Sequence, residues 1–258
     1  MQVFKNLYQY RELLKSNVKK EIRGKYKGSF LGILWSFINP LLLVLVYALV
    51  FPYIMKSQEE NYLIFLIVAI IPWNFFTTVL TQGSNCVWLN GGIIKKVYFP
   101  REILPISVVI AGLINFFISC IIILAFLIFS GVGITMNIFW VFPIAIIQAI
   151  FSLGLLFILS AINVYVRDIE YIVSFIINLL FYGTPILYNA NQFEGSIIAQ
   201  VIKLNPMTSL IESYRNIFYY QSRPQMSALL YIFIIAMFLL IVGYFIFRKL
   251  EKGFAEEV

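Results

Sequence analysis

The chain has 258 residues, of which 61% are hydrophobic and 12% charged, so polar side chains are too few to cover a water-soluble globule of that length. Nineteen Lys and Arg against twelve Asp and Glu give a net charge of +7, and the absence of His removes histidine metal sites and histidine acid–base chemistry. The two cysteines, Cys86 and Cys120, fall at different expected levels of the fold and read as incidental thiols rather than a disulfide.

No Asp, Glu, Lys or Arg occurs in residues 28–55, 61–94, 103–166, 171–193 or 225–247. About 20 apolar residues carry a helix across the hydrocarbon layer, so these blocks predict six spans, near 31–54, 61–82, 105–130, 138–164, 171–188 and 227–247. The runs are rich in Leu, Ile and Phe and do not alternate, which selects an all-α polytopic bundle over a β-barrel. Fifteen of the basic residues lie before span one, between spans two and three, between four and five, or after six; Lys56, Lys203, Arg215 and Arg223 lie on the other side. Because Lys and Arg are retained on the inner face, both termini are expected in the cytoplasm, and the positive charge reflects topology and anionic lipid headgroups rather than nucleic acid. The amino-terminal stretch is too charged to be a cleavable signal, so span one is expected to direct insertion.

The first element covers residues 1–28. At 100° per residue Val3, Phe4, Leu7, Tyr10, Leu14, Val18 and Ile22 share about a third of a helix circumference, with Lys5, Glu12, Lys15, Lys19, Lys20 and Arg23 outside it. This predicts an amphipathic helix in the inner interface, with shallow burial or protein contacts where Arg11 and Glu21 interrupt the stripe. Between spans two and three, Asn85 to Pro105 is moderately apolar, is broken at Gly91-Gly92 and ends in a charged cluster framed by Pro100 and Pro105, which predicts a short helix outside the bilayer. Ile93, Ile94, Val97, Tyr98 and Phe99 would be costly to leave in water, so this stretch offers a surface to a soluble partner.

Gly131 to Asn137 is an uncharged turn dividing spans three and four. Val166 to Glu170 joins spans four and five, where adjacent Arg167 and Asp168 either form a solvated ion pair or orient the turn for a partner. From Tyr182 to Arg223 the chain lies outside the cytoplasm: Gly183 and Pro185 end or kink the fifth helix, and Asn205-Pro206 reads as an N-cap with proline at the first helical position. Met207, Leu210, Ile211, Tyr214, Ile217 and Phe218 then recur at helical spacing with Glu212, Arg215 and Asn216 opposite. The pattern predicts an amphipathic external helix in a re-entrant or lid-like hairpin above the bundle.

Five segments together resemble the membrane subunits of ABC-2 type bacterial transporters that export polysaccharides, among them O-antigen, capsule and wall teichoic acid. They are Tyr26 to Pro40 (YKGSFLGILWSFINP), Val97 to Pro105 (VYFPREILP), Asn163 to Ile169 (NVYVRDI), Thr184 to Tyr188 (TPILY) and Leu204 to Met207 (LNPM). The resemblance implies a homodimer of six-span subunits that exports a lipid-linked glycan across the cytoplasmic membrane and binds two copies of a separate ATPase subunit, which would hold the ATP and Mg2+. It divides the chain into an interface helix (1–28) and a six-span domain (29–258), with a coupling helix at 85–101 and external gate helices at 189–224. The coupling residues it implies are Ile93, Lys95, Lys96, Tyr98, Arg101 and Glu102, with Arg167, Asp168 and Glu170 as a second contact.

For the gate, the resemblance points to Pro185, Met207, Leu210, Ile211, Tyr214, Arg215 and Phe218. For the glycan path, it places spans one and five opposite each other across the dimer. Aromatic faces stack on sugar rings without demanding one sugar, which makes Trp35, Tyr47 and Phe51 of span one and Phe175, Phe181 and Tyr182 of span five candidates, with Asn39 and Asn178 as neutral hydrogen-bonding groups.

Independently of the resemblance, the chain has no Gly-x-x-x-x-Gly-Lys-[Ser/Thr], hence no phosphate cradle of its own, and is expected to carry no enzyme activity. Its predicted spans carry no charge of the kind ion-coupled carriers use to bind a driving ion. That favours energy supplied by an ATPase partner over an ion-coupled flippase. An ABC-2 exporter of a drug or small lipid remains the nearer alternative.

Overall fold

Long apolar runs can satisfy their backbone without water only as helices or closed barrels, and non-alternating ones settle the choice. The computed structural model describes residues 2–24, 32–55, 61–193 and 195–258, among which all α-helices and 3-10 turns occur without a strand. The amino-terminal element is two helices, α1 (Gln2–Gln9) and α2 (Arg11–Gly24), parted at Tyr10; α3 is Trp35–Met55 and α4 Tyr62–Gly83. Two single turns follow, α5 (Cys86–Leu89) and α6 (Gly91–Ile94), then α7 (Ile103–Phe129), α8 (Val141–Tyr165) and α9 (Ile169–Tyr182). The chain continues through α10 (Ile197–Leu204), α11 (Pro206–Phe218), α12 (Met226–Leu250) and the short α13 (Phe254–Glu257).

Among the described residues, four helices are long and apolar enough to cross a membrane: α4, α7, α8 with the turn before it, and α12 with the turns after it. The central one is α4, in which every residue from Ile64 to Trp73 is buried. Pro72 lies inside it and cannot donate to the preceding turn. Beside that break, Gln148 of α8 donates from Nε2 to the Pro72 carbonyl at 2.8 Å, and Tyr214 of α11 donates to Gln148 Oε1 at 2.9 Å. A fully buried amide thus ties three helices together where an unpaired polar group would be costly.

Helices α8 and α12 cross on glycine. A Cβ placed on Gly154 would lie 2.6 Å from the Leu240 nitrogen, and one on Gly243 would run into the Gly154 carbonyl oxygen. Small residues that let backbones approach closely are how helices associate where lipid offers no hydrophobic drive.

The fifth predicted span, 171–188, is helical only as far as Tyr182. Helix α9 stops at Tyr182 after 14 residues, about 21 Å, short of the hydrocarbon thickness. Irregular backbone follows, with Thr184, Pro185, Ile186 and Leu187 buried in protein, the condition under which non-helical chain is tolerated at membrane depth. Helix α11 buries the apolar face its spacing predicts: Leu210, Ile211 and Tyr214 are fully buried, with Met207, Ile217 and Phe218 nearly so.

Candidate functional site

A short apolar helix gains stability only from the stripe it buries, and α9 buries just Val173 and Ile177. Its opposite face carries Tyr171, Phe175 and Tyr182, 71%, 63% and 68% exposed, with Asn178 exposed on the same stripe. Leu42, Leu45, Val46 and Leu49 of α3 are likewise exposed. At one end the two helices meet: Tyr47 and Phe181 have ring centroids 5.9 Å apart, and Phe181 stands edge-on to Tyr182 at 5.4 Å. Phe181 is also edge-on to Trp73 of α4 at 5.8 Å, so the aromatic group is rooted in the central helix. Of the predicted path residues, Tyr47, Phe181 and Tyr182 come together, Phe175 and Asn178 continue their face, and Trp35 is half-buried at the start of α3. The side chains of Asn39 and Phe51 lie outside the described residues.

At the opposite end, the predicted coupling segment is two single turns and an extended tail rather than one helix, because Asn90 and Gly91-Gly92 interrupt it. It presents Leu89, Ile93, Val97 and Tyr98, 62%, 45%, 59% and 89% exposed, flanked by exposed Lys95 and Lys96. Four apolar side chains in a row are a large patch to leave in water. The second predicted contact adjoins it: the Arg167 guanidinium lies 4.9 Å from the Trp88 ring centroid, and Asn85 donates to Glu170 Oε2 at 3.2 Å. Asp168 is exposed beside them. Two segments far apart in sequence therefore form one surface.

Glu102 is corrected as a docking residue. It is fully buried, accepts from Asn6 Nδ2 at 3.0 Å and lies 4.0 Å from Arg248, so it fastens α1 and α12 to the start of α7. Arg101 is half-buried and donates to the Glu251 carbonyl, so it anchors the carboxyl-terminal tail, residues 251–258, instead of facing outward. That tail supports the surface from behind. Phe254, fully buried, stands edge-on to Phe247 at 5.4 Å, Tyr165 donates to the Leu250 carbonyl at 2.8 Å, and Val258 closes over Gly91, where a Cβ would meet it at 2.9 Å. Cys86 is buried beneath the patch; burial, with the Glu21 carboxylate second, pushes its thiol well above the usual range, which makes it inert.

Arg215 is the third correction. The spacing along α11 sets it on the polar face, yet it is 3% exposed. Its guanidinium carbon is 3.5 Å from the centroid of Phe65 and it donates to the carbonyls of Ile186 at 2.8 Å and Tyr188 at 3.4 Å. Tyr62 donates to the Leu187 carbonyl at 2.7 Å, and Asn205 reaches Thr184 Oγ1 at 2.9 Å while capping α11 at the Met207 amide, 3.0 Å. The non-helical segment after α9, with Pro185 in its middle, is thus clasped by α4 and α11. Gln148, Gly154 and Gly243 carry as much of this arrangement as any predicted residue; their only sequence signal is an amide and two glycines inside apolar runs.

Comparison with known proteins bears on this geometry as a whole. Residues 12–219 match the model of the family described as ABC-2 type transporter. The chain is 37% identical over 260 residues to the O-antigen export system permease protein RfbA of Myxococcus xanthus, covering all of both chains. Two proteins of the same description from Klebsiella pneumoniae are 37% and 36% identical over 246 residues, covering 95% of this chain and 94% of theirs.

Proposed function

Since the chain belongs to the ABC-2 type transporter family, we propose that it is the transmembrane subunit of an ATP-driven exporter of a lipid-linked polysaccharide of the O-antigen type, working in the cytoplasmic membrane as a homodimer with two ATPase subunits. The observation that carries this reading is the end-to-end likeness to O-antigen export permeases. In it, α3 and α9 complete six membrane segments around the four long helices, and both termini are cytoplasmic. The exposed faces of α3 and α9 are the surfaces a second copy would cover or a glycan would slide along, because aromatic rings tolerate many sugars.

The external clasp holds the path shut at rest. Energy enters at the cytoplasmic patch, where Tyr98 and Ile93 supply apolar anchors of the kind that dominate protein interfaces and Lys95, Lys96 and Arg167 set charge complementarity. The partner surface is then expected to be an apolar cleft with an acidic rim.

Tyr98→Glu and Lys96→Glu test it. Both side chains are exposed, so the subunit should still insert and fold. The expected result is weakened co-purification with the ATPase subunit, or ATP hydrolysis no longer linked to export, with the loss for Tyr98→Glu of about 2 kcal/mol in binding. Normal export by both variants would remove this surface from the coupling role.

A further inference from the structure

A groove of about 500 Å3 runs between α2 and α7. Its lining is almost wholly apolar: Leu14, Val18 and Ile22 of α2 face Ile110 and Ile114 of α7, and the aliphatic stems of Lys15, Lys19 and Arg23 pass along it, so that their charged heads make its basic rim. We propose that it binds one anionic phospholipid of the inner leaflet, with the phosphate at the basic rim and an acyl chain along α7. The inference rests on the orientation proposed above, which puts α2 and the start of α7 on the cytoplasmic side.

The geometry carries the assignment. Counting from Ile103, Ile110 and Ile114 lie about 10 and 16 Å along α7, a stretch that an acyl chain entering from one face of a core about 30 Å thick can follow. Helix α2 is fastened at the base of the bundle by Lys20, whose ammonium donates to Asn90 at 2.8 Å. The groove therefore opens in the angle between an interfacial helix and a spanning one, where a headgroup and the top of its chain meet. Lys15 is shared with Glu12 at 2.9 Å, whereas Lys19 and Arg23 form no ion pair among the described residues. A soluble phosphate would use the rim and leave the floor in water; a zwitterionic lipid would fill the floor and leave the cations uncompensated. Only an amphiphile with net negative charge uses both.

The test uses the complex with its ATPase subunit, carrying a fluorophore on Ile114→Cys in a background without Cys86 and Cys120, reconstituted in liposomes containing brominated phosphatidylglycerol or brominated phosphatidylcholine. The expected result is quenching by the anionic lipid at roughly tenfold lower mole fraction, a preference lost in Lys19→Gln/Arg23→Gln and absent for a fluorophore at exposed Phe129. Inorganic phosphate should not abolish it. Equal quenching by the two lipids, or loss of the preference to inorganic phosphate alone, would overturn the site. Orientation is read separately: an impermeant thiol reagent should reach Gln192→Cys in intact cells and Lys19→Cys only after the membrane is opened. Labelling of Lys19→Cys from outside would sink the orientation while leaving the quenching result to decide the groove.

Discussion

Gly243→Ala should prevent the subunit from assembling. At this crossing the added methyl meets the Gly154 carbonyl, a backbone atom that cannot rotate away, and the reciprocal Gly154→Ala meets the backbone of Leu239 and Leu240. Either change forces α8 and α12 apart and costs about 3 kcal/mol or more, the upper end of overpacking penalties. Gly24→Ala is the control, since a methyl there meets nothing within 4 Å, and it should stay within about 1 kcal/mol of the parent. Detergent-solubilised protein, followed by size-exclusion profile and thermal unfolding, separates these outcomes. A monodisperse Gly243→Ala protein melting with the parent would show that the close crossing does not hold the bundle.

The second large effect is expected at Arg215. Replacement by Leu leaves the Ile186 and Tyr188 carbonyls without the donor that clasps them and loses the contact with Phe65, a local cost of about 3 kcal/mol. The segment 183–189 should then exchange its amide hydrogens faster, and resting proteoliposomes should leak small solutes, because irregular backbone at this depth needs its partners. Lys in place of Arg keeps the charge but neither the planar fork nor the stacking, so Arg215→Lys should be intermediate. If Arg215→Leu assembles, is as impermeable as the parent and shows unchanged exchange at 183–189, the clasp does not hold the path closed.

How far the sequence foretold this structure depended on what each feature needs from distant residues. The four long helices follow from hydropathy alone, because the bilayer imposes their length. The Asn205 cap and the break at Gly183 are local chemistry and were equally visible. Helical spacing fixes the direction of Arg215 around α11 but not its enclosure by Phe65, Ile186 and Tyr188. Glu102 is a similar case: a carboxylate between prolines looks solvated until Asn6 and Arg248, from opposite ends of the chain, cover it. The stripe at Tyr171, Phe175, Asn178 and Tyr182 was only partly found, since aromatic composition supplies candidates and exposure alone distinguishes an open face from a packed one. The glycine crossing had no signal beyond two small residues in apolar runs, whose pairing only the fold provides.

The most direct measurement is export by purified components. The subunit, its ATPase partner and a polyprenyl-linked O-antigen-type polysaccharide would be reconstituted in proteoliposomes, with transfer read by protection of the glycan from an added glycosidase. The predicted result is protection that requires ATP and the partner, is unaffected by dissipating ion gradients, and is lost when the partner's ATPase is inactivated. Transfer driven by an ion gradient without ATP, or ATP-dependent movement of a small amphiphile with none of the polysaccharide, would contradict it.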